Sequence, residues 1–276
     1  MKKNNLFIRS LIVLSLSISS VALFSQEKSR NKDFQPEEGL EGKNVPYITT
    51  PQELVIKMLE LAKITPEDFL IDLGSGDGRT VIAAAKLGTR ALGIEYNPEL
   101  VKLSANNAKK EGVSDRAQFI EADFFEYDFS KATVITAFLL PEINMKLRPK
   151  FLNMKPGTRI VTNTFTMQDW HYDEVAGTGD KSNRWNTAYL WIVPAKVAGK
   201  WILTQGGELT FLQEFQMLTG TLTIGSKKAT ITEGRLRGNE ITFTANGNIY
   251  TGLVAGNGME GTFISVGKTN NWSASR

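Results

Sequence analysis

Two acidic residues raise the question of chemistry. Asp72 lies inside Phe69-Leu-Ile-Asp-Leu-Gly-Ser-Gly-Asp-Gly-Arg79, and Glu95 ends the apolar run Ala91-Leu-Gly-Ile-Glu95. The first stretch reads as a short buried strand, a glycine turn and the start of a helix. The second reads as a neighbouring strand that finishes in a carboxylate. An acid roughly 20 residues beyond a glycine-rich strand-to-helix turn is the pattern of a nucleoside held at the carboxyl ends of parallel strands.

The glycine spacing narrows the nucleoside. A dinucleotide site needs Gly-x-Gly-x-x-Gly, so that backbone amides can meet a pyrophosphate. Gly74 and Gly76 fit that pattern, but the third position is Arg79 and glycine comes one residue early, at Gly78. Asp72 would repel a pyrophosphate, whereas it can hold a cationic amino group. S-adenosylmethionine carries such a group and a sulfonium, and no phosphate. Glu95 suits its ribose hydroxyls, because a carboxylate accepts both hydrogen bonds. Glu95→Ala is therefore expected to lose the cofactor while the chain still folds. Ser75 and Asp77 fall at the amino end of the next helix, where amides are free for a carboxylate.

A third strand, Gln118-Phe-Ile-Glu-Ala-Asp123-Phe124, also ends in an acid and an aromatic. Asp123 reads either as an acceptor for an adenine amino group or as a solvated loop acid. Phe124 offers a backbone amide or a ring face. A fourth strand, Thr133 to Leu140, runs into Pro141-Glu142. These strand ends are expected side by side along one edge of a sheet.

The elements that position them follow from the pattern. Thr50-Pro51-Gln52-Glu53 reads as a capping box with proline at the first helical position. Leu54, Val55, Met58, Leu59 and Ala62 then recur at helical spacing. A helix after the glycine turn stops at Gly88, and another runs from Asn97-Pro98 to Gly112. A fifth strand, Thr158 to Thr162, follows Pro156-Gly157, and Ala188 to Val193 is expected to be the last strand, closing the sheet. Alternating helix and strand mark a doubly wound, Rossmann-like α/β sheet. After Pro194 the period changes to two. Short runs such as Leu209 and Phe211, or Ile241 and Phe243, are separated by Gly206-Gly207, Gly238-Asn239 and Asn246-Gly247. That predicts a small antiparallel β-domain of six to eight strands, a meander open or closed into a half-barrel. Its role reads as a stabilising cover or dimer surface, or as a dock for a protein or lipid substrate.

The whole constellation resembles the seven-strand, class I S-adenosylmethionine-dependent methyltransferases. Within them it is most similar to bacterial exported methyltransferases and to the mitochondrial lysine methyltransferases that act on the ATP synthase c subunit. The residues that carry the resemblance are Val45-Pro-Tyr-Ile-Thr-Thr-Pro51, Asp72 to Arg79, Thr80 to Lys86, Gly93-Ile-Glu-Tyr-Asn-Pro-Glu99 and Asp169-Trp170. The resemblance covers roughly Pro46 to Pro194 and implies an enzyme. It implies that Tyr47 and Thr49 close over the methionine end and that Tyr96 joins the cofactor site. It places acceptor positioning at Pro141 and Glu142, beside the methyl group. Glu142 either orients an ammonium or is a plain first-turn acid of the next helix, and Trp170 either lines an acceptor channel or packs. The function implied is protein-lysine N-methylation. A small-molecule or lipid methyltransferase, or a non-enzymatic cofactor-binding envelope module, are the alternatives. The added carboxyl-terminal region and an export-type leader depart from the mitochondrial relatives.

Composition fits a globular enzyme: 276 residues, 41% hydrophobic, net charge +3. No basic stripe with interleaved aromatics is present, so nucleic acid is not expected as a partner. With no cysteine and one histidine, His171, zinc, disulfides, a lipoprotein anchor and Cys-His or Ser-His chemistry are not expected. Met1-Lys-Lys and Arg9 precede an apolar run from Leu11 to Phe24. That run is short of the ~20 residues of a membrane span. It reads as a signal peptide over 1–25, cut after Ser25, exporting the protein to the periplasm or cell envelope. An uncleaved anchor is the alternative, and the leader is then the only expected membrane contact. A polar linker over 26–44, a methyltransferase domain over 45–195 and the β-domain over 196–276 complete the expected organisation.

Overall fold

The computed structural model describes residues 34–43, 46–180 and 182–276. The expected signal peptide, and residues 26–33 and 44 of the linker, lie outside the described residues. Residues 34–37 group with the amino-terminal stretch, and Glu38–Arg276 form a second compact unit that contains both domains. Among the described residues no helix is long and apolar enough to cross a membrane.

The first domain is built as α1 (Gln52–Leu61), β1 (Phe69–Leu73), α2 (Arg79–Lys86), β2 (Arg90–Glu95), α3 (Pro98–Lys110), β3 (Ala117–Glu121), β4 (Val134–Ala137), α4 (Pro141–Leu152), β5 (Arg159–Asn163), β6 (Glu174–Gly177) and β7 (Thr187–Ile192). The strands form one seven-stranded sheet in the order β3-β2-β1-β4-β5-β7-β6. β1 to β5 are parallel, and β7 runs antiparallel between β5 and β6. β1 and β4 sit at the centre, which is why Phe69–Leu73 and Val134–Ala137 are nearly continuous apolar runs. One core cluster packs Leu54, Met58 and Val81 against one face of the sheet. Another packs Phe151, Trp170 and Trp191 with Leu73 and Ile135.

Two expectations change here. The strand ending at Ile192 does not close the sheet. β6, only four half-exposed residues long, lies outside it at the edge. The capping box at the start of α1 does not form either: Pro51 occupies the cap position and no side chain caps the helix. α3 does start as read, with the Asn97 side chain accepting from the Glu99 N–H.

The second domain is a closed eight-stranded barrel, tighter than a half-barrel. Its strands are β8 (Gly199–Leu203), β9 (Glu208–Glu214), β10 (Met217–Ile224), β11 (Lys227–Arg237), β12 (Glu240–Ala245), β13 (Asn248–Ala255), β14 (Gly258–Ser265) and β15 (Lys268–Ser275). All neighbours are antiparallel, and pairing of Ala274 with Leu203 and Ser275 with Ile202 closes the ring. Small antiparallel barrels fill their interior with side chains. Here Phe243 stacks on Tyr250 at 4.7 Å between ring centroids, with Trp272 edge-on to both. Gly252 and Gly261 face each other across β13 and β14 beneath that indole. A Cβ on Gly252 would lie 2.9 Å from the Trp272 ring, so the aromatic filling requires glycine there.

The candidate cofactor and acceptor site

The carboxyl edge of the parallel strands opens into a cleft lined by residues from 40–50, the turn after β1 and the ends of β2 and β4. Its floor is the turn after β1. Gly74 and Ser75 donate their amides to the Ile94 carbonyl at 2.9 and 3.1 Å, tying the turn to β2. Gly78 adopts φ +83°, and a Cβ there would meet the Phe119 ring at 2.7 Å and Ser104 at 2.8 Å. Glycine is therefore required one residue earlier than a dinucleotide turn places it, so that α2 can pack closely on β3 and α3.

Each acid has a different electrostatic situation. Asp72 is buried and bonded to the Thr136 hydroxyl at 2.6 Å. Burial pushes its pKa up to about 7; the Thr136 bond opposes this, and the charges of Glu95 and Asp77 add to it. Glu95 is held at both oxygens: it accepts from Gly76 N–H at 3.0 Å, Tyr96 N–H at 2.8 Å and Asn97 N–H at 3.0 Å. Its carboxylate is thus fixed before any ligand arrives. Asp77 is paired with Arg79 at 2.6 Å, and Arg79 also donates to the Thr50 carbonyl at 2.9 Å. Tyr47 covers the turn beside Gly76. Burial, with the nearby Asp77 charge, raises its phenol to about 12, so it stays neutral. Thr49 donates its hydroxyl to Glu38 at 2.6 Å.

Tyr47, Thr49, Asp72, Gly74, Ser75, Gly76, Asp77, Glu95, Tyr96 and Phe124 all meet around this one cavity. Four other residues singled out in the sequence do not line it. Asp123 lies behind Lys43, which pairs with it at 2.7 Å, while Asp123 also accepts from the Phe125 N–H. That pairing holds the Asp123 carboxyl below its ordinary range. Pro141 and Glu142 form the first turn of α4, with Glu142 exposed to solvent. Trp170 is a correction: it is fully buried and packs against Trp191 and Phe215, so it is a core residue and lines no channel.

Two contributors escaped the sequence reading. Leu40 to Lys43 form part of the wall, held by bonds from Gly39 N–H to the Tyr47 carbonyl and from Tyr47 N–H to the Leu40 carbonyl. Lys43 lies over the Tyr96 ring, 4.4 Å from its centroid. Phe138, the first residue after β4, also lines the cavity. Phe138 alone carried a signal, since it continues the apolar run of its strand into the strand end.

A buried carboxylate facing a cavity suits a ligand with an ammonium group, and a pre-oriented Glu95 suits a diol. The residues present therefore fit S-adenosylmethionine. Known proteins agree. Residues 72–174 match the family model described as the ANTKMT methyltransferase domain. The chain is similar to a protein-lysine N-methyltransferase of Saccharolobus islandicus, 42% identical over 153 residues that cover 54% of this chain and 94% of that protein. It is similar to the human lysine N-methyltransferase of the ATP synthase c subunit, 38% identical over 136 residues, and spans 57% of that protein's length. Among solved structures, a protein from Salinibacter ruber, described as an RNA methyltransferase in complex with S-adenosyl-L-homocysteine, is 44% identical. It aligns with a TM-score of 0.51 over 54% of this chain and 96% of that one. On its cofactor site and its match to 94% of the 42%-identical Saccharolobus protein, the chain belongs to the S-adenosylmethionine-dependent methyltransferases, and its residues 72–174 match the ANTKMT methyltransferase domain.

Proposed function

We propose that the protein is a protein-lysine N-methyltransferase. The observation that carries this reading is the near-complete coverage of a 42%-identical relative of that name. The site's electrostatics support it. The two cationic side chains in the cavity wall, Lys43 and Arg79, are each paired with a carboxylate. An RNA acceptor needs cations free to meet phosphates. The name of the Salinibacter structure favours RNA methylation as a second reading.

When bound, S-adenosylmethionine supplies an electrophilic methyl group on a sulfonium sulfur. The chain's own contribution is alignment. Asp72 would hold the ammonium of the amino-acid end, and Glu95, locked by three amides, would hold the ribose. Tyr47 and Thr49 would close over the methionine end, and Lys43, Tyr96 and Phe124 line the same cavity. Phe138 and the first turn of α4, Pro141 and Glu142, flank the acceptor's approach. Alignment of this kind can supply ~7–11 kcal/mol of a barrier. We further propose that the protein acts outside the cytoplasm, on the strength of the basic amino terminus and apolar run over residues 1–25. A mature amino terminus at Gln26, read by mass spectrometry of the native protein, is the expected result.

The deciding experiment incubates the chain with methyl-labelled cofactor and cell-extract fractions. Label recovered as methyl-lysine after hydrolysis is the expected outcome. Label released by nuclease, or confined to extractable small molecules, overturns the reading.

A further inference from the structure

Beside the cofactor cavity stands an aromatic group that no role above uses. Phe138 follows β4, Phe165 follows β5, and Trp185 precedes β7. Because β7 is antiparallel to β5, with Asn163 opposite Ala188, all three reach the same edge of the sheet as the cofactor turn. Their rings form a trio. Phe138 and Phe165 stack at 6.1 Å, Trp185 meets Phe138 edge-on at 5.2 Å, and Trp185 lies 5.9 Å from Phe165. None of the three is fully buried. Phe138 belongs both to this trio and to the cofactor wall, so the trio stands directly beside the cofactor cavity.

The backbone beneath the trio is constrained in an unusual way. Thr164, a β-branched residue, holds φ +61°. It is held by its N–H donating to the Thr187 carbonyl at 2.7 Å and by its hydroxyl donating to Asn163 at 2.8 Å. The Phe165 carbonyl accepts from the Thr162 hydroxyl at 2.5 Å. A left-handed conformation of a β-branched residue is costly and persists only where the surroundings impose it. Here its effect is to turn the Phe165 ring onto Phe138 instead of letting β5 continue.

We propose that Phe138, Phe165 and Trp185 form the acceptor subsite and bind the methylated ammonium of a lysine side chain by cation–π contact. This inference rests on the lysine reading above and extends it to the product states. The ring faces of such a trio attract a cation, and a methylated ammonium sheds water more readily than a bare one. Trp185 already carries a cation on one face, the Arg184 guanidinium 4.3 Å from its centroid. The 6.1 Å between the phenylalanine rings leaves no room between them, so the ammonium rests against their open side. The subsite thereby retains mono- and dimethyl-lysine next to the methyl donor and slows their release.

The test uses the full chain loaded with S-adenosylhomocysteine. It is titrated with Nα-acetyl-trimethyllysine methylamide and with the neutral isostere in which carbon replaces the quaternary nitrogen. The charged probe is expected to bind on the order of tenfold tighter. Trp185→Ala and Phe165→Ala abolish that preference, Trp185→Phe keeps part of it, and S-adenosylhomocysteine affinity stays unchanged in all three, which also reports that they are folded. Equal affinity for the two probes, no binding of either at millimolar concentration, or a preference that survives both alanine variants overturns the subsite. Probe binding needs no turnover, so the two readings fail separately. Methyl-lysine formed in extracts without a probe preference removes the aromatic subsite alone. Label that never appears in lysine removes the acceptor reading itself.

Discussion

Asp72 is a buried acid in a site that asks for its charge. Without a cationic partner, burial and the neighbouring Glu95 and Asp77 hold its pKa at about 7. A ligand ammonium is met by the ionised form, so binding below that pH must first remove a proton. S-adenosylhomocysteine affinity, measured by calorimetry, is expected to fall roughly tenfold per pH unit below about 7 and to level off above it. Asp72→Asn is expected to lose both the tight binding and that pH dependence. The same variant has a stability signature. A carboxyl whose pKa is raised on folding contributes stability below its unfolded value of 3.8, and that contribution is lost as pH rises through about 7. Ligand-free Asp72→Asn, which cannot ionise but still accepts from Thr136, is therefore expected to melt no lower than the parent at pH 8. A lower melting temperature there would contradict burial as the main cause. Glu95 behaves differently. Its three backbone donors make it part of the turn as well as of the site, so Glu95→Ala is expected to fold but to lose about 1–3 kcal/mol of stability besides cofactor affinity. Denaturant titration of the ligand-free variant checks this: a cooperative transition at a lower midpoint is expected, and an unchanged midpoint would show that the three bonds add nothing to the turn. Both acids were legible because each ends or interrupts an apolar strand next to glycine. Lys43 and Trp185 were not, because their partners, Asp123 and Phe138, lie far away in the chain and no local period joins them.

Among the elements, the places where local signals failed are places where a distant partner claims the same group. Thr50 has the spacing of a helix cap, but its hydroxyl accepts from the Asn163 amide at 3.2 Å and its carbonyl accepts from Arg79. The start of α1 is thereby tied to β5 and to the glycine turn, and the capping box yields to those ties. β6 was missed for another reason: four half-exposed residues carry too little pattern, and only pairing with β7 makes them a strand. At the far end of the sheet one acid joins four elements. Asp68 accepts from the Thr65 amide at 2.8 Å and the Thr133 hydroxyl at 2.7 Å and pairs with Arg159, which also donates to the Ala62 carbonyl at 2.8 Å. Burial pushes the Asp68 carboxyl up, and the hydrogen bonds from Thr133 and Thr65 with the Arg159 charge outweigh it, leaving a net lowering. Its contribution to stability is thus present above the unfolded value of 3.8 and lost as pH falls through the lowered folded value. Asp68→Ala is expected to cost about 2–4 kcal/mol at neutral pH, since it leaves Arg159 and three polar groups without their partner. Urea unfolding at pH 7 and at pH 3 checks this, with the difference between parent and variant shrinking at the lower pH. A difference independent of pH would mean the cost comes from packing and not from charge.

At the scale of the molecule, the barrel docks on the sheet at the end away from the cofactor. Its contacts fall where β5 begins and β7 ends. Arg235 pairs with Asp173 at 2.7 Å, and Arg237 pairs with Glu174. Gln216 donates to the His171 carbonyl at 2.7 Å, and Ala195 N–H donates to the Gly238 carbonyl at 2.8 Å. A Cβ on Gly238 would lie 3.0 Å from the Gly157 Cα, so backbone meets backbone there. Phe215, between β9 and β10, stacks on Trp170 at 6.0 Å and carries the Arg148 guanidinium on its ring. The period-two pattern after Pro194 was enough to predict antiparallel strands, but closure depends on a two-residue pairing between the first and last of them, which no local pattern encodes. The same limit explains Trp170: its burial is completed by Phe215, more than forty residues later. This geometry separates stability from catalysis. Phe215→Ala removes the ring that covers Trp170 and is expected to cost about 2–4 kcal/mol, lowering the thermal midpoint by several degrees. S-adenosylhomocysteine affinity is expected to stay within twofold of the parent, because none of the barrel contacts named above involves a cofactor-wall residue. The complementary outcome is equally clear. A variant that melts like the parent but binds the cofactor tenfold more weakly would show that the barrel acts on the site through the sheet, and a purely stabilising role for it would then be wrong.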